Sequence, residues 1–208
     1  MTLSAYLLFL PACFAINMAF GPNNLLSVTN GAKHGVSPAV VAASGRLVAF
    51  AIMIAIAGLG MGAVLVASEM AFDVIKYIGA AYLVWIGIRL LRAPAPAMTQ
   101  AAASGTPPSL RALARQEFTV AAGNPKAILV FTAFLPQFVD IAKPMLPQFT
   151  VLGASFLVLE CVAIALYSWA GMHLGKWLTR SKVRRWFNRC CGTFLGAIGI
   201  SFLLVRRA

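Results

Sequence analysis

Ala19 to Val28 reads AFGPNNLLSV, an apolar run that interrupts itself with Gly21-Pro22-Asn23-Asn24 and then continues. In a water-soluble helix this would be a stop signal, since proline lacks an N–H and clashes with the preceding turn, while glycine opens backbone angles closed to other residues. Here apolar sequence flanks the break on both sides. In hydrocarbon the backbone groups freed by such a break must find partners, and irregular backbone is tolerated only where protein buries it or water lines it. The break therefore predicts a cavity.

The surrounding composition fits a membrane setting. The 208 residues are 61% hydrophobic and 11% charged, with a mean hydropathy of +0.85, far from the roughly 25% charged of a soluble domain. Six membrane-length spans can be read: Leu3 to Val28 (broken at Gly21-Pro22), Pro38 to Val66, Phe72 to Leu91, Glu117 to Val139 (broken at Asn124-Pro125), Pro147 to Leu174, and Phe187 to Val205. The first run has no basic residue ahead of it and more spans follow, so no cleavable signal peptide is expected.

The one long polar connection, Arg92 to Gln116, is rich in Ala, Pro, Ser and Thr and reads as a linker. It divides a single transmembrane domain, 1–208, into a first repeat (1–91) and a second (117–208). Three spans in each half make the halves enter the membrane in opposite directions. Sliding the first half by 103 positions lays Pro22 on Pro125. The expected fold is all-α, with six transmembrane helices in two inverted three-helix repeats whose first and fourth spans are broken. A five-span arrangement with one re-entrant break would place the two ends on opposite sides.

The formal charge of +12 would point to nucleic acid in a soluble chain, but the Lys and Arg residues lie between apolar runs, where they set topology. Connections on one side, with their flanks, carry twelve of them, Arg46 included, and the other side carries four, leaving out Lys126 within a span. This predicts both termini outside the cytoplasm and no nucleic-acid partner. Dense Gly and Ala in the second, third and sixth spans read as close helix packing, which permits a homodimer.

Candidate chemistry concentrates at the two breaks. Asn23 and Asn24 stand at the start of a second helical piece, whose first N–H groups and dipole favour a carboxylate. Gly123-Asn124-Pro125-Lys126 repeats the idea with a cation, and an intramembrane lysine is a functional candidate by default. The candidate binding residues are Gly21, Pro22, Asn23, Asn24, Gly123, Asn124, Pro125 and Lys126. Glu160, in SFLVLECVAIAL, lies mid-span; it is read either as a proton carrier or ammonium partner, or as one half of a structural pair with Lys126 or an arginine. Glu117 opens the fourth span, is favoured at the cavity's rim, and is carried as a second proton-coupling candidate. Asp140, Glu69 and Asp73 fall in turns.

The four cysteines, Cys13, Cys161, Cys190 and Cys191, have no metal-ligand spacing. There is no phosphate loop, zinc-type spacing, Rossmann glycine pattern or serine elbow, so neither a cofactor nor a metal is expected, nor an enzyme. Coupling to an ion gradient is the remaining way to drive work. The alternative from another class is a membrane thiol-disulfide oxidoreductase relaying electrons through cysteines, with Pro11-Ala12-Cys13 as its starting point.

GPNNLLSVTNGAKHG, IKYIGAAYLVWIGIRLLR and GNPKAILVFTAFLPQFV, in this order and spacing, resemble the first-, third- and fourth-span signatures of the LysE/RhtB family of amino-acid exporters. The resemblance implies a six-span bacterial inner-membrane permease that exports small amino acids or their derivatives by exchange with protons. On it, Gly21, Pro22 and Asn23 match the first motif and Asn124, Pro125 and Lys126 the second. Phe20 departs from the proline common before Gly-Pro. The doubled asparagine is similar to the branch that includes cysteine and O-acetylserine exporters, and the scarcity of intramembrane acids agrees with a neutral substrate.

Overall fold

The computed structural model describes residues 1–67 and 108–178, with isolated helical positions between 74 and 92 and between 182 and 200. The described residues are all-helical: α1 (Leu3–Met18), α2 (Pro22–His34), α3 (Val36–Ala42), α4 (Ser44–Ala67), α5 (Leu110–Ala122), α6 (Pro125–Leu129) and α7 (Met145–Leu178). After α6 the chain widens into a π turn over Val130–Phe134 and tightens into a 3₁₀ turn over Leu135–Phe138.

Both breaks fall where the sequence places them. Gly21 precedes a proline and is extended, at φ −150° and ψ −178°, because a residue before proline is excluded from the helical region. Pro22 then opens α2 as its first helical residue, where a missing N–H costs nothing. The axes of α1 and α2 differ by 61°, and those of α5 and Lys126–Phe138 by 58°. Asn124 caps α6 by accepting from the Lys126 N–H at 3.0 Å.

Two stretches, Val36–Met61 and Met145–His173, are long and apolar enough to cross a membrane, and the two bent pairs raise the number of candidate spans among the described residues to four. Most of the third and sixth expected spans, with Glu69, Asp73 and Cys191, lies outside the described residues.

One boundary differs from expectation. The fourth span does not begin at Glu117, because α5 starts at Leu110, behind a Ser109 cap that accepts from the Ala112 N–H at 3.2 Å. Arg111, Arg115 and Gln116 give this stretch the polarity of a linker, yet Leu113, Glu117 and Ala121 recur every four residues as a buried stripe. The end of the expected 92–116 linker thus forms about the first two turns of an amphipathic helix.

The bundle exposes large apolar side chains and buries a polar set beside its apolar core. Ile56, Leu59 and Val158 are exposed, while Asn17, Asn23, Asn30, Arg46, Glu117 and Glu160 are buried, as suits a hydrocarbon solvent outside and a polar path within. An aromatic cluster holds the interior: Phe131 meets Phe50 and Phe156 edge-on, with ring centroids 5.4 and 4.9 Å apart. Where polar elements must pass closely, glycine admits them. A Cβ built on Gly31 would fall 2.1 Å from the Ser168 carbonyl oxygen, and one on Gly171 2.2 Å from that of Val28, so α2 and α7 touch backbone to backbone. Gly45 does the same for α4 against Ala114 of α5. Gly35, between α2 and α3, is the one described residue with positive φ, at 87°.

Candidate functional site

A helix end leaves its last four carbonyls without partners of their own, and at the end of α1 side chains from three other elements supply them. The Lys126 ammonium donates to Ile16 O at 2.6 Å and to Ala19 O at 3.0 Å. The Asn24 amide donates to Asn17 O at 2.7 Å and Ala19 O at 3.1 Å. The Tyr167 hydroxyl, from α7, donates to Met18 O. Lys126 therefore does not run out to an interface. It turns into the break, where its charge meets the negative end of the α1 dipole.

The two breaks also meet directly. Asn124 Nδ2 donates to Asn23 Oδ1 at 2.6 Å. The other end of that amide is unusual: Asn23 is 5% exposed, yet its Nδ2 has no hydrogen-bond partner among the described residues. A buried donor left unmade carries a desolvation cost of about 1–3 kcal/mol. It stands at the first turn of α2, where backbone N–H groups have no carbonyl of their own helix to meet.

Deeper in the bundle lies an ion cluster. Arg46 and Glu117 are 0% exposed and Glu160 is 3% exposed. Arg46 donates from Nε and Nη2 to Glu117 Oε2 at 2.9 and 2.6 Å, and from Nη1 to Glu160 Oε1 at 3.0 Å. Its Nη2 also reaches Asn23 O at 2.6 Å and Ser27 Oγ at 2.7 Å. Asn30 donates to Glu117 Oε1 at 3.3 Å. With its amide turned so that nitrogen faces the carboxylate, Asn17 donates to Glu160 Oε2 at 3.2 Å. One guanidinium thus serves two carboxylates and ties α4 to α2, α5 and α7, as buried charges require.

The expectations fare unevenly. Glu117 does not lie at the rim but is fully buried, because α5 begins earlier and carries it inward. Glu160 pairs with an arginine, and that arginine is Arg46, which by its place beside a connection reads as a topology determinant. It sits in AVVAASGRLVAFAIMI, flanked by apolar and small residues on both sides, the same pattern that singles out Glu160. Asn17, Ser27 and Asn30 carry no such signal.

Gly21, Asn23, Asn24, Asn124, Lys126 and Glu160 line one cavity of about 30 Å³, with Phe50, Val130 and Phe156 on its apolar side. Pro22, Gly123 and Pro125 shape the breaks instead: Gly123 ends α5, and the prolines open α2 and α6. A site for a six-carbon ring needs about 150 Å³, so this geometry admits water and must widen for an amino acid. Cys13 is buried, Cys161 and Cys190 are exposed, and all three are free thiols.

The chain is 30% identical over 200 residues to a membrane protein of Vibrio cholerae of uncharacterized function, covering 96% of this chain and 97% of the relative. It is 28% identical to a homoserine/homoserine lactone efflux protein of Salmonella typhimurium over the full length of both. A leucine efflux protein of Klebsiella pneumoniae is 30% identical over 200 residues, with 95% of this chain and 92% of the relative covered. No solved structure matches it. The model of the LysE type translocator family matches residues 14–206, and the chain belongs to that family.

Proposed function

We propose that this chain exports small neutral amino acids or their derivatives across the bacterial inner membrane in exchange for protons. In this reading six spans form two inverted repeats, 1–91 and 117–208 joined by 92–116, with both termini outside, and the halves rock to alternate access. The observation that carries it is the unpartnered Asn23 Nδ2, set at the start of α2 in a cavity that also holds Lys126 and Glu160. A carboxylate there would satisfy Asn23 and meet the first N–H groups of α2, with Asn24, Asn124 and Lys126 shaping its seat.

Glu160 and Glu117 are the proton-coupling groups. Two carboxylates share one arginine, and Glu160 alone of the pair lines the cavity, where a proton or a substrate ammonium can reach it. The efflux of homoserine and leucine named for two relatives supports a small neutral substrate. The test is efflux of a labelled panel, including leucine, homoserine, cysteine and O-acetylserine, from cells expressing the chain, with and without a protonophore. Selective efflux that collapses with the gradient is the expected result. Efflux of none of them removes the reading.

A further inference from the structure

Arg46 belongs to neither break, yet it touches the parts on which the transport reading rests. Its Nη2 bonds the backbone carbonyl of Asn23, a residue that lines the cavity. Its Nη1 has Glu160 as its partner, and Glu160 lines the same cavity. The five hydrogen bonds of the guanidinium are unequal in what they anchor. Four contacts run to Glu117, Asn23 and Ser27, with the two Nη2 hydrogens shared among three of the oxygens, and none of them involves an atom of Glu160. The fifth, from Nη1, runs to Glu160 alone.

Charge balance points the same way. Arg46 and Lys126 bring two positive charges to this region, and Glu117 and Glu160 bring two negative ones. A guest that carries both an ammonium and a carboxylate leaves that balance unchanged, whereas a net cation or anion leaves one charge uncompensated in a buried site. An ammonium arriving in the cavity has Glu160 as the carboxylate it can meet, and Nη1 already holds that carboxylate.

We propose that Arg46 is a positioning residue that stands in for the substrate's ammonium on Glu160, so that an entering amino acid displaces its Nη1 arm while the other four bonds keep the guanidinium on Glu117 and α2. Part of the substrate's binding energy is then spent on the exchange, and the Nη1 tie to α7 is released only when the ammonium is present. The amino group is then what releases the Nη1 arm, at a cost in affinity that a ligand without it does not meet, and this rests on the transport reading above.

The experiment uses the purified full-length protein and measures binding of leucine and homoserine by ligand-induced thermal stabilisation. Each is paired with its analogue lacking the amino group, 4-methylpentanoate and 4-hydroxybutanoate. Arg46→Gln/Glu117→Gln removes one charge of each sign and leaves Glu160 without its competitor. The amino acid is expected to bind about tenfold tighter than to the wild type, the scale of one charge-assisted hydrogen bond, while the analogue stays within about twofold. Unchanged or weaker binding of the amino acid, or an equal gain for both ligands, overturns the inference. If the double variant does not fold, Arg46→Lys, whose ammonium lacks the guanidinium fork needed to hold both carboxylates, is read by the same split. A wild type that binds neither amino acid overturns this inference, and the efflux panel then decides the transport reading separately.

Discussion

Asn124 and Asn23, 101 positions apart in the chain, share a hydrogen bond of 2.6 Å between their side chains. It joins the second break to the first side chain to side chain, beside the Lys126 contacts with Ile16 O and Ala19 O. Because Asn124 uses its oxygen to cap α6 and its nitrogen on Asn23, its amide orientation is fixed, and this in turn aims the Asn23 Nδ2 away from Asn124.

Alanine at either position should therefore act on transport through the same link. Asn23→Ala and Asn124→Ala are each expected to raise KM for export by about tenfold, and the double variant by less than the product of the two. The coupling energy should fall in the range of about 0.5–3 kcal/mol seen for contacting residues. Full multiplicativity in a double-mutant cycle of efflux kinetics would show that the two amides act independently.

Lys126 has a structural duty that can be separated from any substrate role. Lys126→Met keeps the chain's bulk but leaves Ile16 O and Ala19 O without their ammonium donor, and should cost about 2–4 kcal/mol of stability. Lys126→Arg should recover part of the loss. Melting of the purified variants in detergent checks this, and a Met variant as stable as the wild type would mean that the carbonyls find other donors.

Within the ion cluster, order of removal should matter more than number. Arg46→Gln strands two carboxylates and is expected to destabilise by about 3–5 kcal/mol. The charge-balanced Arg46→Gln/Glu117→Gln should be milder than that single change. A double variant less stable than Arg46→Gln would show that Glu117 has partners that outweigh the arginine.

The α2–α7 crossing offers a geometric test. Gly31→Ala and Gly171→Ala place a Cβ 2.1 and 2.2 Å from the facing carbonyl oxygens, whereas Gly60→Ala meets nothing within 4 Å. The first two should abolish transport and lower the melting temperature by several degrees, and Gly60→Ala should be silent. Normal export by Gly31→Ala would mean that the helices separate at little cost.

What could be read from the sequence was local. Gly21-Pro22 and Asn124-Pro125 announce their breaks because proline and the residue before it restrict the backbone wherever they occur. Long apolar stretches such as Met145–His173 declare themselves by length. Arg46 could not be paired with Glu117 in this way, because the two lie 71 positions apart and neither carries a local pattern that names the other. The start of α5 was hidden because its exposed face is polar, so a helix turn and a linker have the same composition there. Tyr167 as a donor to the first break, and the glycine contacts of α2 with α7, depend on how distant helices cross.

The end of α1 is finished by atoms that are synthesised much later. Ile16 and Ala19 leave the ribosome more than a hundred residues before Lys126, and Met18 still longer before Tyr167. Asn24 is at hand early for the carbonyls of Asn17 and Ala19, but the Lys126 ammonium and the Tyr167 hydroxyl, which meets the Met18 carbonyl, arrive only later. A ribosome stalled between the halves should leave the first span readily labelled from the aqueous side, and release of the complete chain should hide it.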